Sequence, residues 1–166
     1  MRTNLCYKFI ADSMLGRLAK WLRLIGFDVI YQNSIQYDKL LSVSNLEKRI
    51  ILTRNRNLFQ RAKSNKLPCI FIYSDFFEEQ LKQVFEVLGV ESISPLKRCA
   101  KCNCLLKNIE KKDVEGLVPD YIFDTETEFN ICERCKKIYW HGSHAINIEQ
   151  KINMILWEIN RKNKPG

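Results

Sequence analysis

The sequence predicts an α/β protein: a mostly parallel sheet in a three-layer sandwich with helices, followed by a small cysteine-rich module and a final helix. Three observations carry this reading. Over the first 90 residues, short apolar runs alternate with amphipathic stretches, the pattern of repeated β-α units. Four of the seven cysteines then fall as two C-x-x-C pairs in a stretch with little helical periodicity. Last, Ile152, Ile155, Leu156 and Ile159 recur on one side of a stretch from about Glu149 to Arg161, at helical spacing.

The elements follow in order. Tyr7 to Ala11 reads as a strand, and Asp12 or Ser13 can cap the helix after it, because a side-chain oxygen there accepts from free backbone N–H groups. Leu15, Leu18, Ala19, Leu22 and Ile25 form that helix's apolar stripe, and Gly26 suits the left-handed turn that ends it. Asp28 to Tyr31 is a second strand. Tyr37 to Lys48 is a second helix with Leu40, Leu41 and Leu46 facing inward. Ile50 to Thr53 is a third strand, with Asn55 or Asn57 placed to cap the next helix. Cys69 to Tyr73 is a fourth strand and Phe76 to Leu88 a fourth helix. Gly89 to Lys97, with Pro95, reads as a linker. The expected organisation is thus an α/β domain over residues 1–90, a cysteine module over 98–145, and a C-terminal helix and tail over 146–166.

Composition narrows the classes. The chain has 166 residues, 46% hydrophobic and 28% charged, enough apolar content for a core. No apolar run approaches the roughly 20 residues that span a bilayer, and the opening residues lack an apolar leader, so a cytoplasmic protein with reduced thiols is expected. The formal charge is +8, and most of the excess precedes residue 98, where 15 basic residues face 9 acidic ones. Such a surface suits a polyanion, nucleic acid first, although a basic balance also serves solubility alone.

The pairs Cys99/Cys102 and Cys132/Cys135 are separated by 29 residues. A C-x-x-C turn aims both sulfurs at one point, and two such turns supply the four thiolates of a closed tetrahedral zinc site. Lys101, Arg134, Lys136 and Lys137 lie beside these knuckles and offset the negative charge. Two redox pairs would show the same spacing. Cys104 is a competing ligand, Cys6 and Cys69 read as core residues, and His141 and His144 read as surface groups.

In open parallel sheets, sites form beyond the carboxyl ends of the strands. Asp12 follows the first strand, Asn55 the third and Asp75 the fourth, while Asp38 opens the second helix and can lean over the same edge. Three carboxylates and an amide oxygen there suit a hard cation, Mg²⁺ or Mn²⁺, that would activate a water against a phosphodiester. Each residue also suits a plainer role as a helix cap or first-turn acid. Arg17, Lys20 and Arg23, with Trp21 among them, leave the first helix away from its apolar stripe, and Arg54 and Arg56 flank Asn55. A basic face with an aromatic ring fits phosphate contact and base stacking, or an ordinary solvated helix face.

These residues carry a resemblance. FIADSMLGRLAKWLRLIGFDVIY, DKLL, RIILTRNRNL and IYSDFFEEQLKQV resemble the Mut-seven C-terminal RNase domain family, a group of PIN-like nucleases, and RCAKCNC…ICERCKKIYWHGSH is similar to that family's zinc ribbon. The resemblance implies a PIN-like domain with a divalent-metal site, a zinc-ribbon tail, and RNA as partner and substrate, cleaved as by an endoribonuclease. By position, Asp12, Asp38, Asn55 and Asp75 correspond to the family's catalytic residues, and Asp12, Asp38 and Asp75 would carry the metal. Asn55 stands where the family's T-R-D motif has aspartate. That exchange removes a charge, so an RNA-binding or adaptor protein with a weakened site is the alternative. The sequence indicates no membrane contact and no dedicated protein partner.

Overall fold

The structure is a computed structural model and describes residues 7–162; Cys6, read above as a core residue, lies outside them. Four parallel strands, β1 (Lys8–Ala11), β2 (Asp28–Tyr31), β3 (Ile50–Thr53) and β4 (Cys69–Phe71), pair in the order β2-β1-β3-β4. The chain first moves outward from β1 to β2, then crosses to β3 on the other side of β1. The carboxyl ends of β1 and β3 therefore flank the point where the winding reverses.

Alternation along the strands builds two cores, as a period of two demands. Phe9, Ala11, Val29, Leu52 and Ile70 face one side, against α1 (Gly16–Leu24), α4 (Phe77–Leu88) and α6 (Ser143–Lys162). Ile10, Ile51 and Cys69 face the other, against α2 (Tyr37–Glu47) and α3 (Arg56–Ser64). This is the three-layer α/β arrangement that the alternation predicts. Leu15, Leu18, Leu22 and Ile25 are each at most 1% exposed, and burial of this kind contributes about 2 kcal/mol per side chain. Gly16 sits at the start of α1 because Tyr31 lies against it: a Cβ there would meet the Tyr31 hydroxyl at 2.6 Å.

Three local expectations are corrected. Leu46 is 81% exposed rather than inward-facing. At 100° per residue it lies far around the helix from Leu40, and Ser44 faces inward instead, its hydroxyl donating to the Arg49 carbonyl at 2.7 Å. The fourth strand ends at Phe71 and the next helix starts at Phe77, which leaves a loop where the strand was extended to Tyr73. The final helix starts at Ser143, six residues before Glu149, because Ala145 and Ile148 continue its buried stripe upstream. Gly89–Lys97 has no helix or strand but is fastened down: Ser94 and Leu96 donate their N–H groups to the carbonyls of Ile25 and Leu24, both at 3.2 Å.

The cysteine module is an antiparallel sheet of β5 (Lys107–Ile109), β6 (Phe129–Ile131) and β7 (Ile138–Trp140), with the short helix α5 (Asp120–Thr125) inserted between β5 and β6. Val114, Val118, Ile122 and Phe129 make its own small core. Cys99, Ala100, Cys132 and Tyr139 instead join the large core with α1 and α6, so the two modules share apolar contact. No helix among the described residues is long and apolar enough to cross a membrane.

Candidate functional site

The sheet reversal brings Asp12 and the Thr53–Arg54–Asn55 corner together. Asp12 follows β1, is 1% exposed, and is the one buried acid among the described residues. Three protein donors hold its carboxylate. The N–H of Met14 reaches Oδ1 at 2.8 Å, and the N–H of Arg54 reaches Oδ2 at 3.0 Å. The Thr53 hydroxyl also donates to Oδ2. Burying a charge without such bonds costs several kcal/mol, so this carboxylate is fixed in place by the corner it organises. Asp12 thus acts as the cap that its position allows, and also joins the two central strands. Thr53 was not singled out in the sequence, although its place directly before Arg54 was the available signal.

The other three residues of the acidic set stand at the same edge but do not close on Asp12. Asn55 caps α3, its Oδ1 accepting from the Leu58 N–H at 2.9 Å. Asp75 is 79% exposed and pairs with the Arg54 guanidinium. Asp38 is 86% exposed and pairs with Arg61 of α3. In this arrangement the carboxylates of Asp38 and Asp75 do not gather with that of Asp12 at one point. Among the described residues, the four cysteines alone bring three or more His, Cys, Asp or Glu ligand atoms to one point. Each acid is held by its own donor or cation, so as they stand these residues do not fit Mg²⁺ or Mn²⁺.

The basic set divides as well. Arg54, Arg56 and Arg17 stand at the carboxyl edge, where β3, α3 and α1 place them. Arg56 is exposed, and Arg17 lies over the Phe77 ring at 4.6 Å. Lys20 is exposed farther along α1. Arg23 is corrected: it is 6% exposed, not on a solvated face. Its Nε donates to the Val29 carbonyl at 2.9 Å, and Nη1 donates to the carbonyls of Ala100 and Lys101 at 3.1 and 3.0 Å. Nε thus ties α1 to β2, and Nη1 ties α1 to the cysteine module. Trp21 is half-buried against Phe77, with ring centroids 4.7 Å apart, so it is no open stacking surface.

A second anchor lies at Asp28. Its carboxylate accepts from Arg49 Nη1 at 2.7 Å and from Asn103 Nδ2 at 2.8 Å, while Asn103 Oδ1 accepts from the Val29 N–H at 2.9 Å. Burial would raise the Asp28 pKa, but the bonds from Arg49 and Asn103 and the charges of Arg49 and Arg98 outweigh it and hold it below the ordinary value. The module thereby covers the edge strand β2, which would otherwise offer unpaired backbone groups.

The sulfurs of Cys99, Cys102, Cys132 and Cys135 all lie within 4.8 Å of one another, and those of Cys99 and Cys135 are 3.6 Å apart. A zinc tetrahedron with arms of about 2.3 Å has edges of about 3.8 Å, so the cluster fits the ion and could hold one. The environment favours charge on Cys99. Burial alone would raise its pKa, but bonds from the Tyr139 hydroxyl and from the N–H groups of Cys102 and Lys101 bring it down to about 6. Burial and the neighbouring sulfurs push Cys102 up to about 12. A dication at the centre removes that conflict by stabilising all four thiolates. Cys104 stays outside the cluster, its thiol directed at the Cys102 carbonyl. His141 pairs with Glu149 at 2.8 Å on the surface. Cys69 is half-buried in the second core, and burial pushes its thiol up to about 12.

A family model described as the Mut7-C RNAse domain matches residues 7–152 of the chain. No curated protein and no solved structure matches it.

Proposed function

The chain belongs to the Mut7-C RNAse domain family, and from that premise we propose that it is a ribonuclease that hydrolyses RNA phosphodiester bonds at the carboxyl edge of its parallel sheet. The observation that carries this reading is the contact between Asp12 and the Thr53–Arg54 corner. It lies across the winding reversal, where open α/β sheets take their ligands. The buried Asp12 carboxylate fixes the backbone of Arg54 at that crevice.

The chain's own groups suggest how a phosphodiester would be handled. Arg54, Arg56 and Arg17 offer phosphate contacts from three elements around the edge. The Arg54–Asp75 pair is exposed on the Asp75 side, and such pairs contribute only about 0–1 kcal/mol. An incoming phosphate can therefore take Arg54 from Asp75 at small cost. The released carboxylate stands beside the bound phosphate, placed to orient a water and accept its proton. The divalent ion that the family resemblance implies would need Asp38 and Asp75 to leave their arginines, so Mg²⁺ and Mn²⁺ enter as experimental variables.

Asn55 favours a second reading, an RNA-binding protein that does not cleave. Its amide is used as the α3 cap at the position where the family carries an acid. Labelled single-stranded and structured RNAs incubated with the protein in Mg²⁺, Mn²⁺ or chelator separate the two. Cleavage by the natural chain supports the nuclease. Retention of uncleaved RNA, with cleavage gained only in Asn55→Asp, assigns the chain to the binder.

A further inference from the structure

Two aromatic rings at this edge stand mostly in solvent. Tyr73 is 76% exposed and Phe76 is 74% exposed, on either side of Asp75 in the loop that replaced the end of the expected strand. The loop is held firmly. Gln83 Nε2 donates to the Phe71 carbonyl at 2.6 Å, and its Oε1 accepts from the Tyr73 N–H at 3.2 Å. Gln80, itself buried, donates to the Ser74 carbonyl at 2.9 Å, and the Ser74 hydroxyl accepts from the Phe76 N–H at 3.0 Å. Behind Tyr73 stands Phe71, edge to face with centroids 5.1 Å apart, and behind Phe71 stands Phe59 at 5.3 Å. Tyr73 is thus backed on one side and open on the other.

Exposed aromatic rings on a pinned backbone lose little further freedom when they meet a ligand, which favours binding there. Charge selects the occupant. Asp75, between the two rings, meets Arg54, exposed Arg56 follows on the next corner, and the chain carries +8 overall. Unpaired nucleotides offer phosphates to the arginines and base faces to the rings together, whereas a duplex hides its base faces. We infer that Tyr73 and Phe76 are stacking platforms for unpaired bases of an RNA strand whose phosphates lie on Arg54 and Arg56. The inference rests on the RNA reading of this edge and adds the two side chains that hold the unpaired bases.

The test is fluorescence anisotropy of the full chain with a labelled single-stranded 12-mer and with the blunt duplex of the same sequence, at three salt concentrations. The single strand is expected to bind more tightly than the duplex. Tyr73→Ala and Phe76→Ala should each weaken single-strand binding roughly ten-fold with the salt slope unchanged, because stacking releases no counterions. Tyr73→Trp should keep the affinity, and Arg56→Ala should lower the slope by about 1. Both rings are mostly exposed, so the alanine variants should melt with the parent. Equal affinity of the alanine variants and the parent, or equal binding of duplex and single strand, overturns the stacking role while leaving an RNA site in place. Absence of RNA binding by the parent overturns both readings. Self-association of the free protein that Tyr73→Ala abolishes would assign the rings to a protein contact and overturn the inference.

Discussion

The backbone N–H of Arg54 donates to Oδ2 of Asp12 at 3.0 Å, so a buried carboxylate joins the ends of β1 and β3 where the sheet's winding reverses. The Thr53 hydroxyl completes this junction. Thr53→Val keeps the shape and removes the donor, leaving a buried carboxylate short of one bond. The expected cost is about 1–3 kcal/mol, read as a lower midpoint in urea with an unchanged slope.

Arg23 reaches across to the cysteine module, with Nε and Nη1 bonded to backbone carbonyls. Arg23→Met should therefore destabilise the protein by about 1–3 kcal/mol, because the carbonyls of Val29, Ala100 and Lys101 lose their donor. Its effect on the salt slope of RNA binding should be nil. Lys20→Ala and Arg56→Ala are expected to behave in the opposite way: little change in stability, and a shallower slope.

Asp28 gives the acid response a sign. Its pKa in the folded protein lies below the ordinary value of 3.8, so in acid the unfolded chain takes up the proton first. The stabilisation from Asp28 is present above about pH 4 and is lost as the pH falls through the folded value. Thermal melts between pH 7 and pH 3 should show a steeper acid loss in the parent than in Asp28→Asn. The variant should start lower by about 2 kcal/mol, since buried Arg49 loses an ionic partner.

The four-thiolate cluster predicts about one zinc per chain by metal analysis. A chelator should raise amide exchange first in β5, β6 and β7, whose own core is four buried residues. The sheet of β1 to β4 should lose less protection under the same conditions, because most of its large core and the whole of its second core lie outside the cysteine module. Cys132→Ser should reproduce the chelated state.

Legibility followed periodicity. The strands β1 to β3 and the helices α1, α2 and α4 are legible from apolar spacing, and the C-x-x-C pairs locate the sulfurs, since both signals are local. Directions that tertiary contact decides were not legible. Arg23 has the same spacing as Arg17 and Lys20 on α1, yet the knuckle carbonyls draw it inward. Leu46 has the hydrophobicity of a core residue, but helix phase places it outside. The start of α6 was missed because His141 and His144 were grouped with the cysteine module, although Ala145 and Ile148 already continue the stripe. At the edge, sequence order placed Asp12, Asn55 and Asp75 beyond the strands correctly. The arginines that hold Asp38 and Asp75 come from other elements, and no sequence spacing announces them.

The central claim is that this edge turns over RNA, and the rate of cleavage of end-labelled RNA by the parent and by Asp12→Asn under single-turnover conditions measures it most directly. Thr53→Val serves as the control for lost stability, at a temperature where all three proteins remain folded. The account predicts cleavage by the parent and a loss of about 100-fold in Asp12→Asn, because the corner that positions Arg54 loses its anchor, with Thr53→Val between them. Intact RNA in every lane, or equal rates for the parent and Asp12→Asn, would contradict it.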